Sequence, residues 1–242
     1  NRIKMKFDKE QFDELLKLFN SKKYEELDSK IKLLMETNPN SYPLNNLYGA
    51  YKKITGNFKI AEEAFKKSID IDKNIPDGHN NLGLLYAEQN KFLDSINCFE
   101  KAIELNPKNP FFYNNLGNSY AQLNKHNKAI KNFELALSYD PNFFLSHNNI
   151  GLIKYKLKKF NEAIESFKKS IHINNQFAEG YLNIGNSYFE IGQINLALIN
   201  ITKSIKINPK FAKAYNNLGN ILKDQNLHFD AIKNYEEAIK IN

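Results

Sequence analysis

Apolar residues along the chain fall at helical spacing, in short stripes parted by polar breaks. Phe12, Leu15, Leu16 and Phe19 form one stripe; Tyr24, Leu27, Ile31, Leu34 and Met35 form the next, with Asn20-Ser21-Lys22-Lys23 between them. From residue 42 onward such stripes recur at an interval of 34 residues. Asn80-Asn81-Leu82-Gly83 returns as Asn114-Asn115-Leu116-Gly117, Asn148-Asn149-Ile150-Gly151 and Asn216-Asn217-Leu218-Gly219. Gly49, Gly83, Gly117, Gly151, Gly185 and Gly219 therefore share one lattice without an insertion. A period of this length marks a stacked helical array, in which neighbouring units share one continuous core.

The lattice divides the chain into units 42–75, 76–109, 110–143, 144–177, 178–211 and 212–242. Each is expected to hold two helices, the first carrying the glycine. The second helix has a column of small residues at Ala61, Ser95, Ala129, Ala163, Ala197 and Ala231. Four residues on comes a large one: Phe65, Phe99, Phe133, Phe167, Ile201 and Tyr235. Small residues let two helix backbones approach, and a large side chain fills the groove between them. Pro107, Pro141 and Pro209 then stop the second helix. Residues 1–41 carry a weaker copy, with Leu15 where the others have glycine, and read as a degenerate N-terminal hairpin or cap.

These columns resemble the tetratricopeptide repeat, which pairs antiparallel helices in 34 residues with Trp, Leu, Gly, Tyr, Ala, Phe, Ala and Pro at set places. The resemblance implies an all-α, right-handed superhelical solenoid of antiparallel helix pairs. It departs where the family has Trp (here Asn45, His79, Tyr113, His147, Tyr181 and Tyr215). It departs again where Lys52 and Lys154 replace the expected Tyr, with Tyr51 and Tyr155 one residue away.

Candidate chemistry adds little. All ten glycines have places in the lattice, so none is left for a phosphate-cradling loop. His79 and His147 share one repeat position and His126 and His228 another. Equivalent residues on successive units do not converge on one metal. No catalytic residues, cofactor or metal site are expected. The net charge of +7 comes almost wholly from lysine, and with Arg2 the only arginine a nucleic-acid partner is not expected. Cys98 stands alone, and no apolar run approaches the roughly 18 residues of a membrane span. The start lacks both an initiator Met and a signal-peptide stretch. A cytoplasmic chain that is a piece of a longer protein is the expectation.

The inner surface remains. The family resemblance implies that first helices line it, through positions 2, 5, 6, 9, 12 and 13 of each unit. Position 6 gives Asn81, Asn115, Asn149, Asn183 and Asn217; position 5 adds Asn46, Asn80, Asn114, Asn148 and Asn216, and is broken by Leu182; Asn118, Asn186 and Asn220 add a partial column at position 9. A carboxamide both donates and accepts, as an extended peptide backbone requires. Each bond contributes only about 0.5–1.5 kcal/mol, so such columns act collectively. The alternative is that these asparagines serve the repeat itself. Leu145, Leu152, Tyr155, Leu182 and Phe189 interrupt the polar pattern and predict an apolar hot spot, with Lys213 and Lys223 favouring acidic flanks. Tyr155 and Phe189 packing merely between helices is the competing reading. The ladder also resembles the arm of O-linked N-acetylglucosamine transferases, which presents substrates to a catalytic domain. A protein- or peptide-binding scaffold is expected, with a glycosyltransferase arm or a self-assembling array as alternatives. The last helix ends in Ala238, Ile239 and Ile241 with no polar cap after it, an edge through which self-association is expected.

Overall fold

The structure is a computed structural model that describes residues 7–241. The expected first hairpin and last unit extend beyond these limits at residues 1–6 and at Asn242, which lie outside the described residues. Among the described residues there are fourteen α-helices and no strand, an all-α repeat array. No helix among them is long and apolar enough to cross a membrane.

The chain forms two compact units, one ending at Leu123 and the next starting at Asn124. Unit one holds α1 (Lys9–Asn20), α2 (Tyr24–Thr37), α3 (Tyr42–Ile54), α4 (Phe58–Ile71), α5 (Pro76–Glu88), α6 (Phe92–Leu105) and α7 (Pro110–Gln122). Unit two holds α8 (His126–Tyr139), α9 (Phe144–Lys156), α10 (Phe160–Ile173), α11 (Ala178–Glu190), α12 (Ile194–Ile207), α13 (Ala212–Asp224) and α14 (His228–Ile241). Within each unit odd- and even-numbered helices alternate, and a connection as short as the three residues between α3 and α4 makes the two antiparallel.

The first helices end in one way. Backbone φ is positive at Lys22, Gly56, Asn90, Asn124, Lys158, Gly192 and Asn226, a run spaced by the repeat. After α3, Asn57 N–H donates to the Lys52 carbonyl at 2.8 Å and Gly56 N–H to that of Lys53 at 3.1 Å. This is the Schellman closure, which satisfies carbonyls that a helix end leaves bare. The same two bonds close α1, α5, α9, α11 and α13. Glycine and asparagine suit the left-handed conformation, whereas Lys22 and Lys158 adopt it at a cost of about 1–2 kcal/mol each.

In the hairpins α3–α4, α5–α6, α9–α10, α11–α12 and α13–α14 the column glycine marks a close approach of the two helices. A Cβ on Gly49 would lie 2.6 Å from the Phe65 ring, on Gly83 2.7 Å from Phe99, and on Gly151 2.5 Å from Phe167. Gly185 meets Ile201 at 2.5 Å and Gly219 meets Tyr235 at 2.6 Å in the same sense. Phe65, Phe99 and Phe167 are buried, so the large residue of the second helix rests directly on the backbone of the first. In unit one these hairpins enclose a cluster around Ala61, Phe65, Leu82 and Leu85, and α1–α3 enclose another around Leu15, Leu27, Ile31 and Leu44. In unit two the core runs through Ala163, Phe167 and Ile184 and through Leu182, Ala197, Ile201 and Ile221.

Lys52 takes the place of the expected Tyr by changing the partner's chemistry. Tyr86 and Lys52 both reach back 24 residues, Tyr86 Oη to Glu62 Oε1 at 3.0 Å and Lys52 Nζ to Asp28 Oδ1 at 2.6 Å. Lys52 Nζ also stands 4.4 Å from the Tyr51 ring centre, a cation–π contact. Burial is the largest single influence and weakens the ammonium, but the Asp28 hydrogen bond together with the charges of Tyr48, Tyr51 and Asp28 outweighs it and raises the Lys52 pKa. Burial opposes ionisation of Asp28 too, yet bonds from Lys32 and Lys52 hold its pKa below the ordinary value.

The glycine contact is testable. Gly151→Ala should destabilise by overpacking against Phe167, by about 1–3 kcal/mol, against the roughly 1 kcal/mol that alanine otherwise brings to a helix. The unfolding midpoint in urea is expected to fall. A higher midpoint would mean that the ring does not hold this approach.

Candidate functional site

One edge of the first helices carries the asparagine columns, and there the carboxamides bind one another. In unit one Asn81 Nδ2 donates to Asn46 Oδ1 at 3.0 Å, and Asn115 Nδ2 to Asn80 Oδ1 at 2.9 Å. Asn80 Nδ2 closes the relay with a long bond to Asn81 Oδ1, at 3.5 Å. In unit two Asn183 Nδ2 donates to Asn148 Oδ1 at 3.0 Å. Each of these inter-helix rungs joins position 6 of one hairpin to position 5 of the hairpin before, a sequence separation of 35.

The rule extends to charged and aromatic side chains. Lys53 Nζ meets Glu88 Oε2 at 3.0 Å and Tyr155 Oη donates to Glu190 Oε1 at 3.1 Å, again 35 residues apart, linking positions 12 and 13. Neighbouring first helices are thus set one residue out of step.

Leu182 breaks the pattern. The sequence placed it on the groove, but it is fully buried in the cluster of Ala197, Ile201, Ala214 and Ile221 and presents no surface to a ligand. An aliphatic chain at position 5 gains more from the core than from the polar edge. Without a position-5 acceptor, Asn217 Nδ2 turns to Asn186 Oδ1 at 2.9 Å, a position-9 side chain that columns 5 and 6 did not mark.

The other candidates scatter. Asn114, Asn148 and Asn183 are buried, Asn80, Asn81, Asn115, Asn149 and Asn217 half-buried. Tyr155 and Phe189 do come together, lining one hollow of about 210 Å³ with Asn186, Glu190, Asn217, Asn220 and Ile221. Leu145 and Leu152 lie outside that lining, Leu145 half-buried and Leu152 exposed. Lys223 is exposed on α13, while Lys213 borders a different hollow with Tyr235, Ala238 and Ile239 at the end of unit two.

Tyr155 both packs between helices and borders the hollow. Its ring stands edge-on to Phe160 at 5.3 Å and packs on the Ala163–Phe167–Ile184 cluster, while its hydroxyl donates to Glu190, which also lines the hollow. Burial first, and then the charge and hydrogen bond of Glu190, push the phenol pKa up to about 12. The hydroxyl therefore stays a donor across the physiological range. Sequence reading named Asn186 and Asn220 in the partial position-9 column but not Glu190, for which the separation of 35 from Tyr155 was the available signal.

Chemistry of other kinds has little to work with. Burial holds the imidazoles of His79 and His147 below their usual pKa, so both are neutral near pH 7. Burial pushes the Cys98 thiol up to about 11. No group of three or more His, Cys, Asp or Glu among the described residues could hold a metal ion.

Comparison with known proteins gives the repeats a family. A TPR-repeat model matches residues 85–124, 151–192 and 185–226, and tetratricopeptide-repeat models match 110–143 and 211–242, together more than half of the chain. No curated protein is a match to the sequence. Among solved structures, the anaphase-promoting-complex hetero-tetramer Cut9–Hcn1 aligns over 94% of this chain with a TM-score of 0.78 and 17% identity. The alignment spans only 45% of that chain. PilF of Pseudomonas aeruginosa aligns over 82% of this chain and 90% of its own, with a TM-score of 0.71 and 18% identity. YrrB, described as a TPR protein with an unusual peptide-binding site, aligns over 76% and 95%, with a TM-score of 0.55 and 18% identity. At such identities the likeness is one of fold.

The rungs predict a measurable cost. Asn183→Ala removes the donor and strands the buried Asn148 oxygen, which should destabilise by about 1–3 kcal/mol. Asn216→Ala, on an exposed side chain, should stay within about 0.5 kcal/mol. Equal urea midpoints for the two variants would remove the rung's structural role.

Proposed function

The chain belongs to the tetratricopeptide-repeat family, and we propose that it is a protein-interaction scaffold that captures an extended segment of a partner along its first helices. The observation that carries this reading is the hollow at Tyr155 and Phe189. It sets two aromatic side chains beside the carboxamides of Asn186, Asn217 and Asn220. An apolar anchor enclosed by polar groups is the arrangement in which a few residues supply most of the binding energy. Its volume of about 210 Å³ is of the order of one large side chain.

Asparagines already joined to one another keep spare capacity. An amide group has two donors and an oxygen with two lone pairs, so one rung bond leaves room for a backbone N–H or C=O. The rungs hold those groups in fixed orientation, which lowers the ordering cost of binding. The likeness to glycosyltransferase arms rests on the same asparagine columns, and a structural role for the rungs accounts for them without a catalytic partner.

Peptides selected for binding to the chain provide the test. Tyr155→Phe, which keeps the packing ring, and Phe189→Ala should weaken them, Phe189→Ala by about tenfold or more. Lys66→Ala on α4 should leave affinity unchanged. Groove variants that fold and bind like the Lys66 control would place the contact elsewhere.

A second reading, self-association, has its own observation. Ile232 and Ile239 of α14 are 53% and 75% exposed, whereas Ile164, the counterpart of the first on α10, is 3% exposed. An apolar stripe of that kind favours a partner. Sedimentation should show association that Ile239→Lys abolishes; a monomer at high concentration would dismiss it.

A further inference from the structure

The first hairpin carries on its inward positions something the later ones do not. In lattice terms Phe12, Leu16 and Phe19 stand at positions 5, 9 and 12, where α3 has Asn46, Ala50 and Lys53 and α5 has Asn80, Leu84 and Ala87. The core of α1 is served by other residues, Leu15 and Leu18, both buried. Phe12, Leu16 and Phe19 stay only partly covered and form one wall of a hollow of about 600 Å³ in unit one. Its other sides are Tyr42, Leu47 and Ala50 of α3, with Asn46 and Asn81 along the polar edge.

The rung geometry explains the hollow. Position 5 of one first helix meets position 6 of the next, so the rung before Asn46–Asn81 is Phe12 with Leu47. The ladder begins with an apolar rung and continues with polar ones. An aliphatic or aromatic side chain entering there would bury its surface on Phe12, Leu16 and Leu47 while its backbone lay against Asn46 and Asn81. Among the described residues, the charged ones lining the hollow are Asp8, Lys9 and Asp77, two carboxylates against one ammonium. Asp77 is exposed in the first turn of α5.

We propose that this hollow is a binding site for an extended peptide segment with one large apolar side chain flanked by basic residues. The proposal deepens the scaffold reading by giving the partner's chemistry at unit one. It rests on residues that take no part in the Tyr155–Phe189 hollow, so the two can fail separately.

The probe is a fluorescein-labelled decapeptide of serine and alanine with a central leucine flanked by lysines, titrated against the full chain by anisotropy. Two sister peptides carry serine in place of leucine, or glutamate in place of the lysines. The leucine–lysine peptide should bind about tenfold tighter than the serine peptide, and tighter than the glutamate peptide by a margin that shrinks with added salt. Ala50→Phe, which fills the hollow, should weaken it about tenfold, and Phe189→Ala should leave it within about twofold. Asp77→Lys changes an exposed side chain and should reverse the preference between lysine and glutamate flanks, which keeps the test alive if Ala50→Phe folds poorly. Equal binding of the leucine and serine peptides, an unchanged flank preference in Asp77→Lys, or loss only in Phe189→Ala would each overturn the site. Concentration-dependent association of the chain that Ala50→Phe abolishes would overturn it too, by assigning the hollow to a second copy.

Discussion

The contact between a glycine of the first helix and a large side chain of the second is the constraint on which the array depends. At separations where a Cβ would stand 2.5–2.7 Å from a ring or branched carbon, only hydrogen fits. The glycine admits the ring, the ring fixes the distance and tilt of the two helices, and the next hairpin packs on the surface that results. A helix interior otherwise disfavours glycine by about 1 kcal/mol relative to alanine, so its regular return signals packing. Within each unit the Schellman closures complete the frame by turning the chain within three residues at the first-helix ends.

From that frame the edge chemistry follows. Neighbouring first helices in a unit lie one residue out of step, and this offset decides which side chains can meet. It pairs Asn81 with Asn46, Lys53 with Glu88 and Tyr155 with Glu190. The asparagine columns therefore have a structural use before any ligand arrives. Where the acceptor is missing, as at Leu182, the donor of Asn217 finds Asn186, because leaving a part-buried amide unpaired costs more than turning it.

Much of this was legible in the sequence, since period, glycine column and aromatic column all express one packing contact repeated. Helix type and order followed from apolar spacing alone. The site was less legible, for reasons that particular residues make plain. Leu182 was misplaced because position within a repeat predicts a direction, while burial depends on what the neighbouring hairpins leave uncovered; Ala197 and Ala214 are small, and the leucine fills the room beside them. Phe12, Leu16 and Phe19 read only as one apolar stripe with Leu15, because apolar spacing cannot tell a buried residue from a part-covered one. Glu190 escaped notice because a carboxylate at position 13 gains meaning only through the 35-residue offset.

That offset also bears on how such a chain can change over generations. In a globular domain, one extra residue in a surface loop is commonly absorbed where it falls. Here each turn after a first helix within a unit is three residues long and closed by two backbone bonds, so it has little slack. An extra residue that fed into the next helix would rotate everything after it by about 100°. Asn183 would leave Asn148, and the following glycine would leave its ring. Descent of this protein should thus have proceeded by substitution within a fixed metre, with length changing by whole hairpins.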